Sequence, residues 1–407
     1  MRLAGRDIVC LSVMDWDHPF PTSRHALMAR LAMCNRVLFV DAFESPWTVL
    51  RHLGDPRLRG RLARWLGLAP DPRREGLNLW IHTPPPCLPM GGLPDGPLFE
   101  WAYARNQRRV RRDLRLVAGR LGLREPILWL SFGTLPSEGA IGATSEALVV
   151  YHCTDDVAAM PGVAPAAARI ERRLIARADL VFCSSAELAA SRGGIYVPNG
   201  VDYERFAEAQ SSGLPVPRAL ADLPRPVLGY VGQIDERVDF DLLEQVGALV
   251  PGWSLILLGA VAPRVRGRVD RLRARWPECR APGLVPQADL PRWLKGMDVA
   301  ILPWRLTART RAIYPHELHE AFAAGLPVVA TPFADLPDAR EATYWAGDAE
   351  TFVAAVVRAF TEGLGQAARA RRQSLARAAS WDVRLAEMES YILDRLARGS
   401  SHARPRS

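Results

Sequence analysis

The chain has 407 residues, enough for about two domains of roughly 100 to 200 residues each, and its apolar share of 49% is that of an ordinary globular protein. The net charge of +8 comes almost wholly from arginine, since Lys295 is the only lysine, which reads as the bias of a GC-rich genome; no nucleic-acid partner is expected. No apolar run approaches the roughly 18 residues of a membrane span, Asp7 interrupts what would be a signal peptide's apolar region, and six scattered cysteines lack zinc or redox spacing. A cytoplasmic protein with buried thiols, free or peripheral on the inner face of the plasma membrane, is expected.

Residues 8–13 form a compact apolar strand, a helix follows through Ala26, Leu27 and Leu31, and residues 37–40 form the next strand. This is the spacing of a right-handed parallel crossover, without the glycine-rich turn of a nicotinamide or flavin site. Asp15-Trp16-Asp17 has the form of a metal-binding Asp-x-Asp, but three residues match by chance too often, and no metal site is expected. Over residues 47–68, tryptophan and leucine alternate with arginine, and Leu58, Leu62 and Trp65 fall on one helix face. Residues 57–67 either touch an anionic inner-membrane surface or pack as a lid on their own domain. A second basic helix is expected over 106–121, with its arginines solvated. Pro84-Pro85-Pro86 and the glycine- and proline-rich residues 90–97 read as loop.

Strands recur at 127–130, 147–151, 180–183 and 195–197, with a helix over 164–177, so the first half reads as a parallel α/β domain. His152, Asp155 and Asp156 then follow a strand's carboxyl edge, where parallel sheets bind ligands; the aspartates are equally suited to capping the next turn. The N-terminal domain is placed at 1–205, with a linker at 206–223 and a cleft opening there. A second domain at 224–380 repeats the pattern through strands at 226–231, 253–258, 299–302 and 328–330. Gly232 ends its first strand, where a missing side chain lets backbone approach a phosphate. Residues 381–396 form a last helix, and 397–407 are a polar tail expected to be disordered.

The stretch from Tyr314 to Thr331 organises the second half. Pro315 opens a short helix whose apolar face is Leu318, Ala321 and Phe322, Gly325 stops it, and residues 327–331 make a buried strand. The free N–H groups at the helix start, beside Pro315 and His316, suit an anion. Glu320-Ala-Phe-Ala-Ala-Gly-Leu-Pro-Val-Val-Ala-Thr331 resembles the second-glutamate segment of retaining GT-B-fold glycosyltransferases of the family 4 type, in the bacterial cell-envelope polysaccharide group. Tyr151-His-Cys-Thr-Asp-Asp156, Ala178-Asp-Leu-Val-Phe-Cys-Ser-Ser185 and Val197-Pro-Asn-Gly-Val-Asp202 resemble successive stretches of that group, so the likeness covers most of the chain.

The resemblance implies two Rossmann-like doubly wound domains, with the last helix returning to the first domain. It implies transfer of a sugar from a nucleotide-sugar, UDP- or GDP-linked, to a glycan or lipid-linked acceptor, with retention and without a metal or other cofactor. Glu320 would hold the ribose, Val285 in Gly283-Leu-Val-Pro286 would read the base, and Gly232 and Arg237 would lie beside the diphosphate. At least one of Arg305, Arg309 and Arg311 would grip that diphosphate. Two positions depart from the pattern: Ala312 stands where the family often has another glutamate, and Glu317 where a related subgroup has lysine. Glu317, Arg311, Asp155 and His152 are therefore the candidates for chemistry. A sugar-nucleotide epimerase of the same fold and a degenerate, non-catalytic binding protein remain alternatives.

Overall fold

A computed structural model describes residues 2–19, 21–90, 92–131, 137–160, 163 and 166–400. The chain divides into two units, one holding the residues up to Pro198 and those from Leu385 onward, the other Asn199–Arg384. The first unit is built on an eight-stranded sheet: β1 (Asp7–Leu11), β2 (Arg36–Val40), β3 (Arg73–Arg74), β4 (Leu79–His82), β5 (Ile127–Ser131), β6 (Leu148–Cys153), β7 (Leu180–Cys183) and β8 (Ile195–Tyr196). Their order is β3-β4-β2-β1-β5-β6-β7-β8, and only the β3–β4 pair is antiparallel. The central strands are apolar without alternation because helices cover both faces, and all five residues of β1 are buried.

The second unit has six strands: β9 (Val227–Val231), β10 (Ser254–Leu258), β11 (Cys279–Gly283), β12 (Val299–Leu302), β13 (Val328–Ala330) and β14 (Thr343–Trp345). They pair in parallel in the order β11-β10-β9-β12-β13-β14. This is the Rossmann order, in which the direction of winding reverses between β9 and β12 and a crevice opens outside the carboxyl ends of those strands. The organising helix, His316–Ala323, packs Leu318, Ala321 and Phe322 into the core below that crevice. Burying a side chain such as Phe322 stabilises by about 1.5–3 kcal/mol. Gly325 adopts φ +80 just beyond the helix, and Arg372 donates to its carbonyl at 2.7 Å.

Three expectations from the sequence change. Residues 206–223 are part of the second unit rather than a linker, because Phe206, Ala209 and Leu220 are buried in its core. The basic helix is longer than its apolar core spacing first indicated, running from Pro97 to Leu121, since Pro97 opens it and Phe99, Ala102 and Tyr103 continue the buried face. The last helix, Trp381–Ser400, runs past 396 into the stretch read as tail; it begins in the second unit, and its residues from Leu385 belong to the first, where Arg395 pairs with Asp179 at 3.1 Å.

Candidate functional site

The start of the organising helix is held open. Pro315 is its N-cap with φ −73 and ψ 130, and among the described residues no side chain caps the first N–H groups. Asn199 donates to the Tyr314 carbonyl at 2.8 Å, fixing the entry, and the Tyr314 hydroxyl lies 2.6 Å from His319 Nε2. Burial pushes His319 down to about 3, so its imidazole is neutral. His316 turns to Trp381, with ring centres 5.6 Å apart, and to the Gly200 carbonyl at 3.4 Å. Its ring therefore supports the helix entry, and the exposed N–H groups are left as the helix's polar offering.

Two glycines lie opposite. Gly232, after β9, has φ +135, and Gly259, after β10, has φ +151, conformations that side chains rarely adopt. A Cβ on Gly259 would fall 1.9 Å from the Gly232 carbonyl oxygen, and one on Gly232 would fall 2.7 Å from Glu317 Oε1. Gly232 donates to Leu258 at 3.0 Å and Gly259 to Gly283 at 3.0 Å, so the ends of β9, β10 and β11 are laced together by backbone. The Glu317 carboxylate lies directly over this lacing, and among the described residues no side chain bonds to it.

Beside it stands a basic group with a built-in anchor. Arg237 Nε donates to both oxygens of buried Asp235, at 2.8 and 3.0 Å, while its guanidinium lies 5.0 Å from the Trp304 ring centre. Burial works against the Arg237 charge, but Tyr230, Asp235 and Glu317 more than offset it and hold the group above its usual range. Arg309 reaches Asp235 at 3.7 Å. Arg305 contributes its backbone N–H to the Arg237 carbonyl at 2.7 Å, with its side chain exposed, and Arg311 is exposed as well. The structure thus gathers Gly232, Arg237, Arg309, Glu317 and Glu320 in the second unit, and leaves Arg305 and Arg311 pointing to solvent. Asp235, which the sequence reading does not single out, is the anchor.

Glu320 lies one turn beyond Glu317 and is half-buried by exposed area. Its carboxyl is pushed up to about 8, first by burial and then by Glu317, with Arg205 opposing. Among the described residues it has no side-chain hydrogen bond. Arg205 donates to Gln287 at 2.8 Å, just past Val285, which packs against the core. Arg205 escaped the sequence reading because residues up to 205 were placed in the N-terminal domain, whereas Asn199–Arg384 form the second unit.

In the first unit the outcome differs. His152 lies inside β6, which runs two residues further than the apolar run alone indicated, and only 1% of it is exposed, against Trp129. It is therefore unavailable to an acceptor, because the sheet continues past it. Asp155 is half-buried and accepts from Thr154 at 3.1 Å. Asp156 caps the next turn through Ala158 and pairs with Arg192 at 2.8 Å. Asp15 pairs with Arg61, and Asp17 with Arg73 at 2.8 Å; among the described residues no cluster of three His, Cys, Asp or Glu is placed to hold a metal. Asp41 is pushed up to about 6 by burial and by Asp15, against the Trp16 N–H, Arg61 and Arg73.

Residues 57–67, open between a membrane contact and a lid on their own domain, pack as the lid does. Arg61 is 1% exposed, held by Asp15 and the Ala42 carbonyl, Arg64 donates to Thr83 at 2.6 Å, and Trp65 donates to Pro84 at 2.8 Å. The polar groups of this helix face their own domain, because a partly buried aspartate waits there for a cation.

Comparison with known proteins decides the class. Residues 225–362 match the family described as Glycosyl transferases group 1. The second unit therefore carries a group 1 glycosyltransferase domain, in a chain of GT-B fold. The chain is 26% identical over 289 residues to TuaH of Bacillus subtilis (strain 168), named as a candidate teichuronic acid biosynthesis glycosyltransferase, covering 65% of this chain and 71% of that one. Its fold is similar to that of sucrose-phosphate synthase from Thermosynechococcus elongatus, with a TM-score of 0.68 at 18% identity over 97% of this chain and 100% of that one. It is also similar to Anabaena HepE, solved with UDP, with a TM-score of 0.58 at 13% identity over 97% and 100% of the two chains. Among the described residues no helix is long and apolar enough to cross a membrane.

Proposed function

We propose that this glycosyltransferase moves a sugar from a UDP- or GDP-linked donor to a hydroxyl of a cell-envelope glycan or lipid-linked acceptor, with retention of configuration. The observation that carries the reading is Glu320, a desolvated carboxyl group without a side-chain hydrogen bond among the described residues, set beside an open helix start and three converging strand ends. Ribose hydroxyls would supply the hydrogen bonds that it lacks, and accepting them favours its ionised form. The diphosphate would meet the helix N–H groups beside Gly232, whose missing side chain leaves room for Glu317.

Arg237, held by Asp235, and Arg309 add positive charge there. A preorganised donor aimed at developing charge is worth about 2.7–4 kcal/mol and a helix terminus roughly 0.3–2 kcal/mol, so arginine and helix act together on the leaving diphosphate. No metal or other cofactor is needed for that balance. Glu317 takes a sugar hydroxyl rather than a phosphate, since a carboxylate repels one. UDP in HepE favours a uridine donor, and the teichuronic acid relative favours an envelope polymer. Acceptor choice falls to the first unit, with Asp155 as its candidate contact.

Calorimetric titration with UDP- and GDP-sugars, with and without chelator, tests this. One nucleotide class should bind irrespective of chelator, and product analysis without acceptor should show no epimerised donor. Binding that survives unchanged in Glu320→Ala would defeat the assignment.

A further inference from the structure

The helix Pro97–Leu121 carries a feature that donor chemistry does not use. Its outward face forms, with Pro85, a groove of about 520 Å³ lined by Arg105, Arg108, Arg109 and Arg112. Successive turns of a helix rise about 5.4 Å, so the four guanidinium stems span about two turns of one face. One carboxylate, Asp113, also lines the groove, but it is already engaged by His82 at 2.7 Å. His82 in turn meets Asp71 at 2.6 Å, and Arg109 is steadied by the Pro86 carbonyl at 2.7 Å. The groove therefore keeps a surplus of fixed positive charge.

What flanks the arginines narrows the ligand. Leu98 is 62% exposed, Trp101 55% and Leu116 52%, and Trp101 lies one turn before Arg105 while Leu116 lies one turn after Arg112. Apolar side chains thus bracket the basic stretch on the same helix. The Pro-rich loop under the groove also receives Trp65, and the preceding segment exposes Trp47, Leu50, Leu66 and Leu68 in the same unit. A polar polyanion can at most stack a sugar ring on Trp101 and has no use for the exposed Leu98 and Leu116. An interface with phosphate above hydrocarbon uses both.

We infer that this face docks on an anionic lipid bilayer, with lipid phosphates in the Arg105–Arg112 groove and Trp101, Leu98 and Leu116 at the headgroup boundary. The inference does not rest on the donor site. It replaces residues 57–67 by the Pro97–Leu121 helix as the membrane-facing element of the first unit.

Co-sedimentation of the full chain with phosphatidylcholine vesicles, with or without phosphatidylglycerol, tests it. Binding should require phosphatidylglycerol and fall steeply with salt. Arg105→Glu and Arg112→Glu should each weaken it at least about fivefold, the effect expected for losing one basic residue near an anionic surface. Trp101→Ala should lower partitioning without altering the salt dependence, and vesicle-induced change in tryptophan emission should be lost with it. Should the arginine variants fold poorly, Trp101→Ala and Leu98→Ala still decide the matter. Equal sedimentation of wild type and folded variants overturns the inference, and so does arginine-dependent binding of a free acidic polysaccharide with none to vesicles. Nucleotide-sugar titration of the same variants should match wild type, so failure here is distinguishable from failure of the donor assignment.

Discussion

Around the carboxyl edge of the first sheet, charged groups meet partners from their own unit: Asp15 meets Arg61, Asp17 meets Arg73, Asp156 meets Arg192, and His82 lies between Asp71 and Asp113. At the corresponding edge of the second sheet, Glu317 and Glu320 have no side-chain hydrogen bonds among the described residues, and Arg237 commits only Nε. Both edges are built from parallel strands of similar apolar composition. The difference teaches that a charge consumed internally is part of the scaffold, whereas a desolvated charge without a partner is held ready for a ligand.

The sharpest way to break the comparison is on the scaffold side. Arg61→Ala should destabilise the protein by about 3–5 kcal/mol, because Asp15 is left without its cation in a partly buried setting. Chemical denaturation would measure it, and a loss below about 1 kcal/mol, the range of an exposed pair, would contradict the internal role. Next comes Glu320→Ala, which should weaken nucleotide-sugar binding by about ten- to a hundredfold, as expected for hydrogen bonds to a charged group. Titration calorimetry checks it.

Glu320→Gln sharpens the contrast by moving stability and binding in opposite directions. The carboxyl is raised from its usual range to about 8, so ionising it opposes folding as pH rises through that interval. The apo variant should be more stable than wild type near pH 7 by on the order of 1–2 kcal/mol, and the gain should vanish below about pH 4. Thermal melts across pH would detect it, and a pH-independent gain would point to packing instead.

His82 has the opposite sign. Burial alone would lower it, but Asp113 and Asp71 prevail and raise it to about 9. Its contribution is complete below the unfolded value of about 6.5 and lost as pH rises through 9. Melting temperature should fall by a few degrees between those limits, and His82→Asn should flatten that slope. The smallest effect is expected from Glu317→Gln: if Glu317 touches a sugar hydroxyl, KM for the donor should rise a few-fold, and unchanged kinetics would remove its role.

The periodicity of the chain shows two parallel α/β domains, the helix opened by Pro315 and closed by Gly325, and the glycine after β9. These are local consequences of backbone preference and apolar spacing, which neighbouring residues dictate. The family likeness was also legible, through the segment that begins at Glu320. Sequence could not show that β6 continues through His152, since an edge is defined by the strands beside it. Nor could it show that Arg61 turns inward to Asp15 while Arg105, Arg108 and Arg112 stay outside. All four are arginines on amphipathic helices. Their fates differ because one meets a buried carboxylate from 46 residues away, and only the folded chain brings such partners together. The same holds for Arg237, whose Asp235 anchor and Trp304 platform set a directed cation in an acidic loop.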